Sequence, residues 1–214
     1  MIFVVGPLCF DPLSYYQNAL TISNDLMIAL DGGAQLFIQL GILPDIWIGD
    51  MDSSDMDMVS FLRKEKVPIH CYPQEKDFSD FELSLPFIQD HTPCWIHLFG
   101  MLGGRLDHMM FNIEIGKALI HKGFLLKFCS EGLDLYMIGS AQELSISSQS
   151  KGYVSLLPLD GPARVSSNKN LKYPLQNEML FPCQSRGLSN ELLSGKANIR
   201  CNEGKLLIYH YKEV

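Results

Sequence analysis

Between Asp31 and His108 the chain carries acidic, glycine-punctuated motifs of the residue types that meet hard cations and phosphate oxygens. They are Asp31-Gly32-Gly33-Ala34, then Pro44-Asp45 followed by Gly49-Asp50-Met51-Asp52-Ser53, then Lys76-Asp77-Phe78-Ser79-Asp80, and last the run from Gly100 to His108. Asp50 and Asp52 stand two apart, so in extended or turning backbone both can point to one side and offer oxygen ligands to Mg2+. A turn with a helix cap also accounts for such a run in isolation. Asp31 and the Asp77/Asp80 pair, placed in the same way after strands, turn the balance toward a metal-phosphate site. The last run is glycine-rich and leads into a helix, whose first N–H groups can cradle phosphate oxygens. Arg105 adds a bidentate grip on phosphate, and no GK[ST] closes the loop, so it is not a Walker motif. Asp107 beside it either pairs with Arg105, binds a cation or contacts a nucleotide. His108 reads as a packed or capping residue, and Lys76 as a phosphate contact or a solvated charge.

These residues depend on the elements that carry them. Strand-like runs at 1–6, 26–30, 45–48, 67–72, 94–99 and 124–129 alternate with helical periodicity, the pattern of a parallel sheet with crossover helices. Each acidic motif follows a strand, and ligands of open α/β sheets bind at the carboxyl ends of strands, so the motifs are expected to converge. The clearest helix follows Arg105, with Leu106, Met109, Met110, Ile113 and Ile120 on one face and Gly123 as its stop. Asp11-Pro12 reads as the cap and first position of an earlier helix. Pro86 is expected to kink or end the helix that starts near Ser79. After about residue 140 come short strand-like runs at 142–147, 153–157, 163–167, 179–182, 197–201 and 205–211, with no helix. The expectation is an α/β domain over 1–140, its mostly parallel sheet flanked by helices, followed by a small all-β sandwich domain over 141–214. So small a β domain has a marginal core and leans on a neighbour.

Composition narrows the partners. The 214 residues are 47% hydrophobic, enough for a core, and 17 basic against 24 acidic residues give a formal net charge of -7. That balance argues against a nucleic-acid surface, which needs clustered Lys and Arg. Six cysteines, at 9, 71, 94, 129, 183 and 201, show no CxxC or zinc spacing and read as buried thiols in a reducing compartment. No apolar run approaches the ~20 residues a bilayer requires, and the first residues read as a strand, so the expectation is a cytoplasmic protein without membrane partners.

At these residues the sequence resembles thiamin pyrophosphokinase, also called thiamine diphosphokinase. The family carries DGGA, PDxxxGDxDS, a KDxTD-like motif matched at Lys76 to Asp80 with Ser79 for Thr, and GxxGGRxDH, in this order. Further on, Asn170-Leu171-Lys172-Tyr173-Pro174-Leu175 is similar to GLKYxL, and Ser185 to Glu191 matches SRGLSNE. Asn170 departs from the family's Gly, and Asn is the residue that best tolerates left-handed backbone after Gly.

The resemblance implies transfer of the diphosphoryl group of ATP to the thiamin hydroxyl, giving thiamin diphosphate and AMP. It implies a homodimer with the active site, and thiamin, at the subunit interface. Asp31, Asp50, Asp52 and Asp80 would be the catalytic acids, with Asp50, Asp52 and Asp80 holding Mg2+. Lys76, Asp77, Gly103, Gly104, Arg105 and Asp107 would serve ATP, the co-substrate. Tyr173, Ser189 and Asn190 would help form the thiamin pocket. An aspartate cluster repels ATP unless a cation bridges them, and thiamin is itself cationic, so the acidic site suits the reaction. Asp80 or Asp52 is the expected acceptor of the hydroxyl proton. The competing readings are a Mg2+-dependent phosphohydrolase using the same carboxylates on water, and a non-catalytic thiamin or nucleotide sensor.

Overall fold

The computed structural model describes residues 1–20, 25–50, 56–75, 77–148, 152–193 and 195–212. Asp52 and Lys76 lie outside the described residues, as do Met51 and Ser53 of the same motifs. By internal contacts the chain forms two units, Met1–Leu119 with Phe128–Ser130, and Ile120–Lys127 with Glu131–Val214.

In the first unit β1 (Ile2–Val5), β2 (Leu26–Leu30), β3 (Ile46–Gly49), β4 (Ile69–Cys71) and β5 (Trp95–Phe99) lie in the order β5-β1-β2-β3-β4, every pair parallel. The order reverses at β1, which opens the kind of crevice at the strand carboxyl ends where α/β folds take ligands. The short apolar runs Ile2–Val5 and Leu26–Leu30 are almost entirely buried, as strands covered on both faces require. Phe3, Val5, Ala29, Phe37, Trp47 and Leu62 meet in one core cluster, each large apolar side chain there contributing about 1.5–3 kcal/mol. The connections carry α1 (Leu13–Ala19), a 3-10 turn at Asp31–Gly33 running into α2 (Ala34–Leu40), α3 (Met56–Lys64), α4 (Asp80–Gln89) and α5 (Leu106–His121).

Several helix expectations need correction. Pro12, not Asp11, occupies the cap position of α1 and makes no side-chain cap bond. The Asp11 carboxylate is engaged instead by Tyr16 Oη at 3.2 Å and Ser130 Oγ at 3.1 Å. Helix α4 continues through Pro86 to Gln89, and the Pro86 carbonyl still accepts the Asp90 N–H at 3.3 Å. Pro86 therefore does not end the helix, although its nitrogen has no N–H to donate. On α5, Ile113 and Ile120 are buried, but Leu106 is 68% and Met110 51% exposed. Periodicity identifies an apolar stripe without saying whether anything covers its first turns. Gly123, at φ 90°, donates its N–H to Ile120 O at 3.0 Å and closes the helix as expected.

β6 (Leu125–Cys129) is followed by an antiparallel, β-rich region, and no helix occurs among the described residues after Ser130. Its strands are β7 (Leu133–Gly139), β8 (Glu143–Ser148), β9 (Gly152–Ser167), β10 (Glu178–Leu180), β11 (Asn190–Leu192) and β12 (Gly195–Lys212). β12 pairs with β7, β8 and β9, while β10 and β11 pair with β9. The expected pairs 153–157 with 163–167, and 197–201 with 205–211, are each a single long strand.

Two surface expectations also change. Cys129 and Cys201 are buried, but Cys71 and Cys183 are exposed, so the six free thiols are not uniformly internal. Asn170 does not adopt a left-handed φ. Its N–H meets Asn168 Oδ1 at 3.2 Å and its Nδ2 donates to Lys196 O at 2.6 Å, so side-chain hydrogen bonding, not backbone freedom, suits Asn to this turn.

Candidate active site

The carboxyl ends of β1, β2, β3 and β5 bring their loops together. Gly6, after β1, donates its N–H to Phe99 O at 2.8 Å, and Leu8 N–H reaches Gly100 O at 3.1 Å. Across the neighbouring pair, the Asp50 N–H donates to Asp31 Oδ1 at 3.2 Å. Gly49 lies between them, and a β-carbon there would overlap Asp31 Oδ1 and stand 2.7 Å from Trp47 Cζ2. Only glycine lets the Asp31 carboxylate lie against the end of β3. Asp31 itself has φ 45°, uncommon for a residue with a β-carbon. Its carbonyl accepts the Trp47 Nε1–H at 3.0 Å. Asp31 and Asp50, nineteen residues apart, are thereby held as neighbours.

Upstream, Asp45 secures the start of β3. Its N–H donates to Met27 O at 2.8 Å and its Oδ2 accepts the Met27 N–H at 2.7 Å, which fixes β3 against β2. The acid of Pro44-Asp45 therefore works on register.

Asp80 is the half-buried first residue of α4, a helix that packs against β2 and β3. Ser79 is the cap, its Oγ accepting the Glu82 N–H at 3.2 Å. Asp77 is exposed. Among the described residues no three His, Cys, Asp or Glu side chains form a metal-holding group. The described acids at the strand ends, Asp31 and Asp50, supply oxygen donors alone, which suits a hard cation over a thiophilic one.

Gly103 and Gly104 have φ 89° and 63° in the loop before α5, and Asn112 Nδ2 ties that loop to the helix through Met101 O at 3.2 Å. Arg105 and Asp107 pair by two bonds, Nε to Oδ1 at 3.1 Å and Nη2 to Oδ2 at 2.6 Å. Of the three roles open to Asp107 from its sequence, pairing with Arg105 is the one the geometry displays. The Arg105 hydrogen bonds hold the Asp107 carboxyl at about 2, and Asp107 in turn raises the guanidinium above its ordinary value. Both side chains are exposed.

In the second unit the alternation of β9 and β12 builds one wall of a cleft of about 730 Å³. Val154 and Leu156 face inward, while Tyr153, Ser155 and Leu157 face outward. Tyr153 pairs with Tyr211 and Ser155 with Tyr209 across the ladder, so their side chains share that face. The other wall is the 183–189 loop, laid on β9 by the Leu156 N–H to Gly187 O bond at 2.9 Å. A β-carbon on Gly187 would overlap Leu156 O. Ser189, at φ 55°, donates its N–H to Ser155 Oγ at 3.0 Å and lines the cleft with Leu188 and Cys183.

The other two residues assigned to thiamin stand differently. Asn190 is buried, its Oδ1 accepting the Tyr173 N–H at 3.0 Å and its Nδ2 donating to Tyr173 O at 2.8 Å. It clamps the Tyr173 backbone, leaving the ring half exposed and outside the cleft lining. Tyr153, Tyr209 and Tyr211, which belong to none of the sequence motifs, line the same cleft. The signal available for them was aromatic alternation at a spacing of two along β12.

Residues 18–126 match the family model of the thiamin pyrophosphokinase catalytic domain, and residues 142–206 that of the thiamin pyrophosphokinase vitamin B1 binding domain. Thiamine pyrophosphokinase of Bacillus subtilis (strain 168) is 26% identical over 188 residues, 88% of this chain and 88% of that protein. The crystal structure of thiamine pyrophosphokinase from Bacillus subtilis matches with a TM-score of 0.82 at 25% identity, over 100% of this chain and 98% of that one. The solved structure of thiamin pyrophosphokinase from Candida albicans shares the fold, with a TM-score of 0.78 at 15% identity over 99% and 90% of the two chains. With a catalytic-domain match over half its length, a B1-binding match after it, and the acidic strand ends described above, the chain belongs to the thiamin pyrophosphokinase family.

Proposed function

We propose that the chain transfers the β,γ-diphosphoryl group of ATP to the hydroxyl of thiamin, releasing thiamin diphosphate and AMP. Membership of the family supports the reaction, and the observation that carries its chemistry is the contact between Asp31 and the Asp50 backbone at the strand ends. In this reading Asp31, Asp50, Asp52 and Asp80 are the catalytic acids, with Asp50, Asp52 and Asp80 the residues that would hold Mg2+. Mg2+ bound there supplies charge neutralisation between the carboxylates and the polyphosphate. The chain's own contribution is placement. Asp31 is fixed by backbone contacts and does not have to reorganise as charge moves. Asp80 or Asp52 accepts the proton of the attacking hydroxyl.

Lys76, Asp77, Gly103, Gly104, Arg105 and Asp107 serve the nucleotide. Asp107 occupies the Nε and Nη2 edge of Arg105, so a phosphate meets the remaining Nη1 or displaces the carboxylate. The cleft beside Ser189 is the thiamin-binding surface of the second unit, and its three tyrosine rings suit a cationic heterocycle. Leu157, Leu188, Tyr153 and Tyr211 expose apolar surface around it, which supports closure by a second copy in a homodimer. Residues 1–140 act as the catalytic domain and 141–214 as the thiamin-binding and dimerisation domain. A cytoplasmic setting agrees with the free cysteines and with the lack, among the described residues, of a helix long and apolar enough to cross a membrane.

The test is chromatography of the purified protein with ATP, Mg2+ and thiamin. AMP and thiamin diphosphate formed in equal amounts, and only with thiamin present, are the expected products. Phosphate release indifferent to thiamin would assign the hydrolase, and tight thiamin binding without turnover the sensor.

A further inference from the structure

We propose that Trp47 is a positioning residue for the Asp31 carboxylate, an assignment that rests on the catalytic role given to Asp31 above. Trp47 is fully buried in β3. Burial accounts for an aromatic ring at this position but not for an indole, because a buried indole N–H needs an acceptor. Here the acceptor is the main-chain carbonyl of the acid itself, at 3.0 Å. Asp31 stands at φ 45°, a conformation that persists for such a residue only where its surroundings hold it. Two of the contacts that hold it come from β3 and its end. The Trp47 indole takes the carbonyl, and the Asp50 N–H takes Oδ1 at 3.2 Å.

Gly49 ties these contacts into one arrangement. A β-carbon on Gly49 would meet both the Asp31 carboxylate and the edge of the Trp47 ring. The ring edge and the carboxylate therefore flank the same glycine, and the indole fixes the turn from which the carboxylate is presented. Loss of the N–H frees the carbonyl, lets the Asp31 turn relax from its left-handed φ and blurs the position of Oδ1 beside Asp50. Trp47 touches neither nucleotide nor thiamin and acts through Asp31, whose Oδ1 holds the backbone of Asp50, one of the residues that would bind the metal. Loss of the indole N–H therefore loosens the metal site as well as the Asp31 carboxylate.

Two variants separate the donor from the packing. Trp47→Phe keeps a ring in the core without the N–H, and Trp47→3-benzothienylalanine keeps the indole shape with sulfur in place of N–H. The readouts are Mn2+ affinity without substrates, from the electron paramagnetic resonance of the free ion, and kcat and thiamin KM with Mg2+. Thermal unfolding serves as the control for folding. Both variants are expected to bind Mn2+ more weakly and to lose kcat, each by roughly tenfold as for other residues that orient ligands, with thiamin KM unchanged. If Trp47→Phe does not fold, the isosteric variant alone decides. Wild-type Mn2+ affinity and kcat in the isosteric variant, while Asp31→Asn loses both, would overturn the positioning role and leave Asp31 in place. Wild-type Mn2+ affinity and turnover in Asp31→Asn would overturn the assignment of Asp31, and this inference with it.

Discussion

At the scale of single residues, the carboxylates announce themselves because an Asp after an apolar strand has little structural reason to be there unless it caps, turns or binds. Asp45 and Asp50 show how one motif divides that work. Asp45 fixes the β2–β3 register through Met27, while the Asp50 backbone meets Asp31 across the strand ends. Trp47 was not legible, because an indole inside an apolar strand reads as core until its N–H is seen on the Asp31 carbonyl. Asn190 was legible only through the family motif, and the geometry gives it a structural task as well, since both its amide atoms are spent on Tyr173. Asn190→Ala leaves the partly buried Tyr173 N–H and carbonyl without their side-chain partner. It should lower stability by about 2 kcal/mol, a fall in Tm of roughly 4–8 °C for a chain of this size, measured by calorimetry. A wild-type Tm accompanied by a raised thiamin KM would instead make it a substrate contact only.

At the scale of elements, the parallel strands were readable because strands buried on both faces are short apolar runs bounded by turn residues. The long antiparallel strands were not, since Gly161-Pro162 in β9 and Asn202 to Gly204 in β12 carry turn signals. The ladder passes through both, with register shifts between Cys201 and Lys205 that absorb the irregular residues as bulges. The sheet face opposite the tyrosines holds His210, which is buried, and neither ring nitrogen has a hydrogen-bond partner among the described residues. Desolvation lowers its pKa below the usual 6.5, and Lys212 and Lys127 work in the same direction against Asp134. Folding therefore favours the neutral ring. The stability this contributes is complete above about pH 6.5 and is lost as the pH falls below that toward the folded-state pKa, because the unfolded chain takes up the proton first. Thermal melts of wild type and His210→Leu from roughly pH 7.5 to 5 should diverge, with the wild type losing more Tm on acidification. Parallel curves would mean that His210 does not titrate differently in the two states.

At the scale of the whole molecule, the sequence changes texture near residue 140, whereas internal contacts already place Ile120–Lys127 and everything from Glu131 in the second unit, and nothing in the sequence marks the surfaces that remain uncovered. Half-exposed Tyr153 and Tyr211 and the more exposed Leu188 line the two walls of a cleft that no part of the sequence marks as external. Periodicity tells which residues share a face, but the identity of its neighbour is a property of the assembly. Light scattering should return twice the 24.1 kDa of the chain. A monomeric mass with full activity would remove the dimer from the account.

In the proposed reaction a diphosphoryl group moves intact from ATP to thiamin at the Asp31–Asp50 end of the parallel sheet. The measurement that decides this uses ATP labelled in turn at the β- and the γ-phosphorus, with products separated and counted. Transfer of both labels to thiamin diphosphate in equal amounts, leaving unlabelled AMP, is the predicted result. Label from the γ-phosphorus alone on thiamin, with the β-label retained in ADP, would contradict it and make the chain a phosphoryl-transfer enzyme of a different kind.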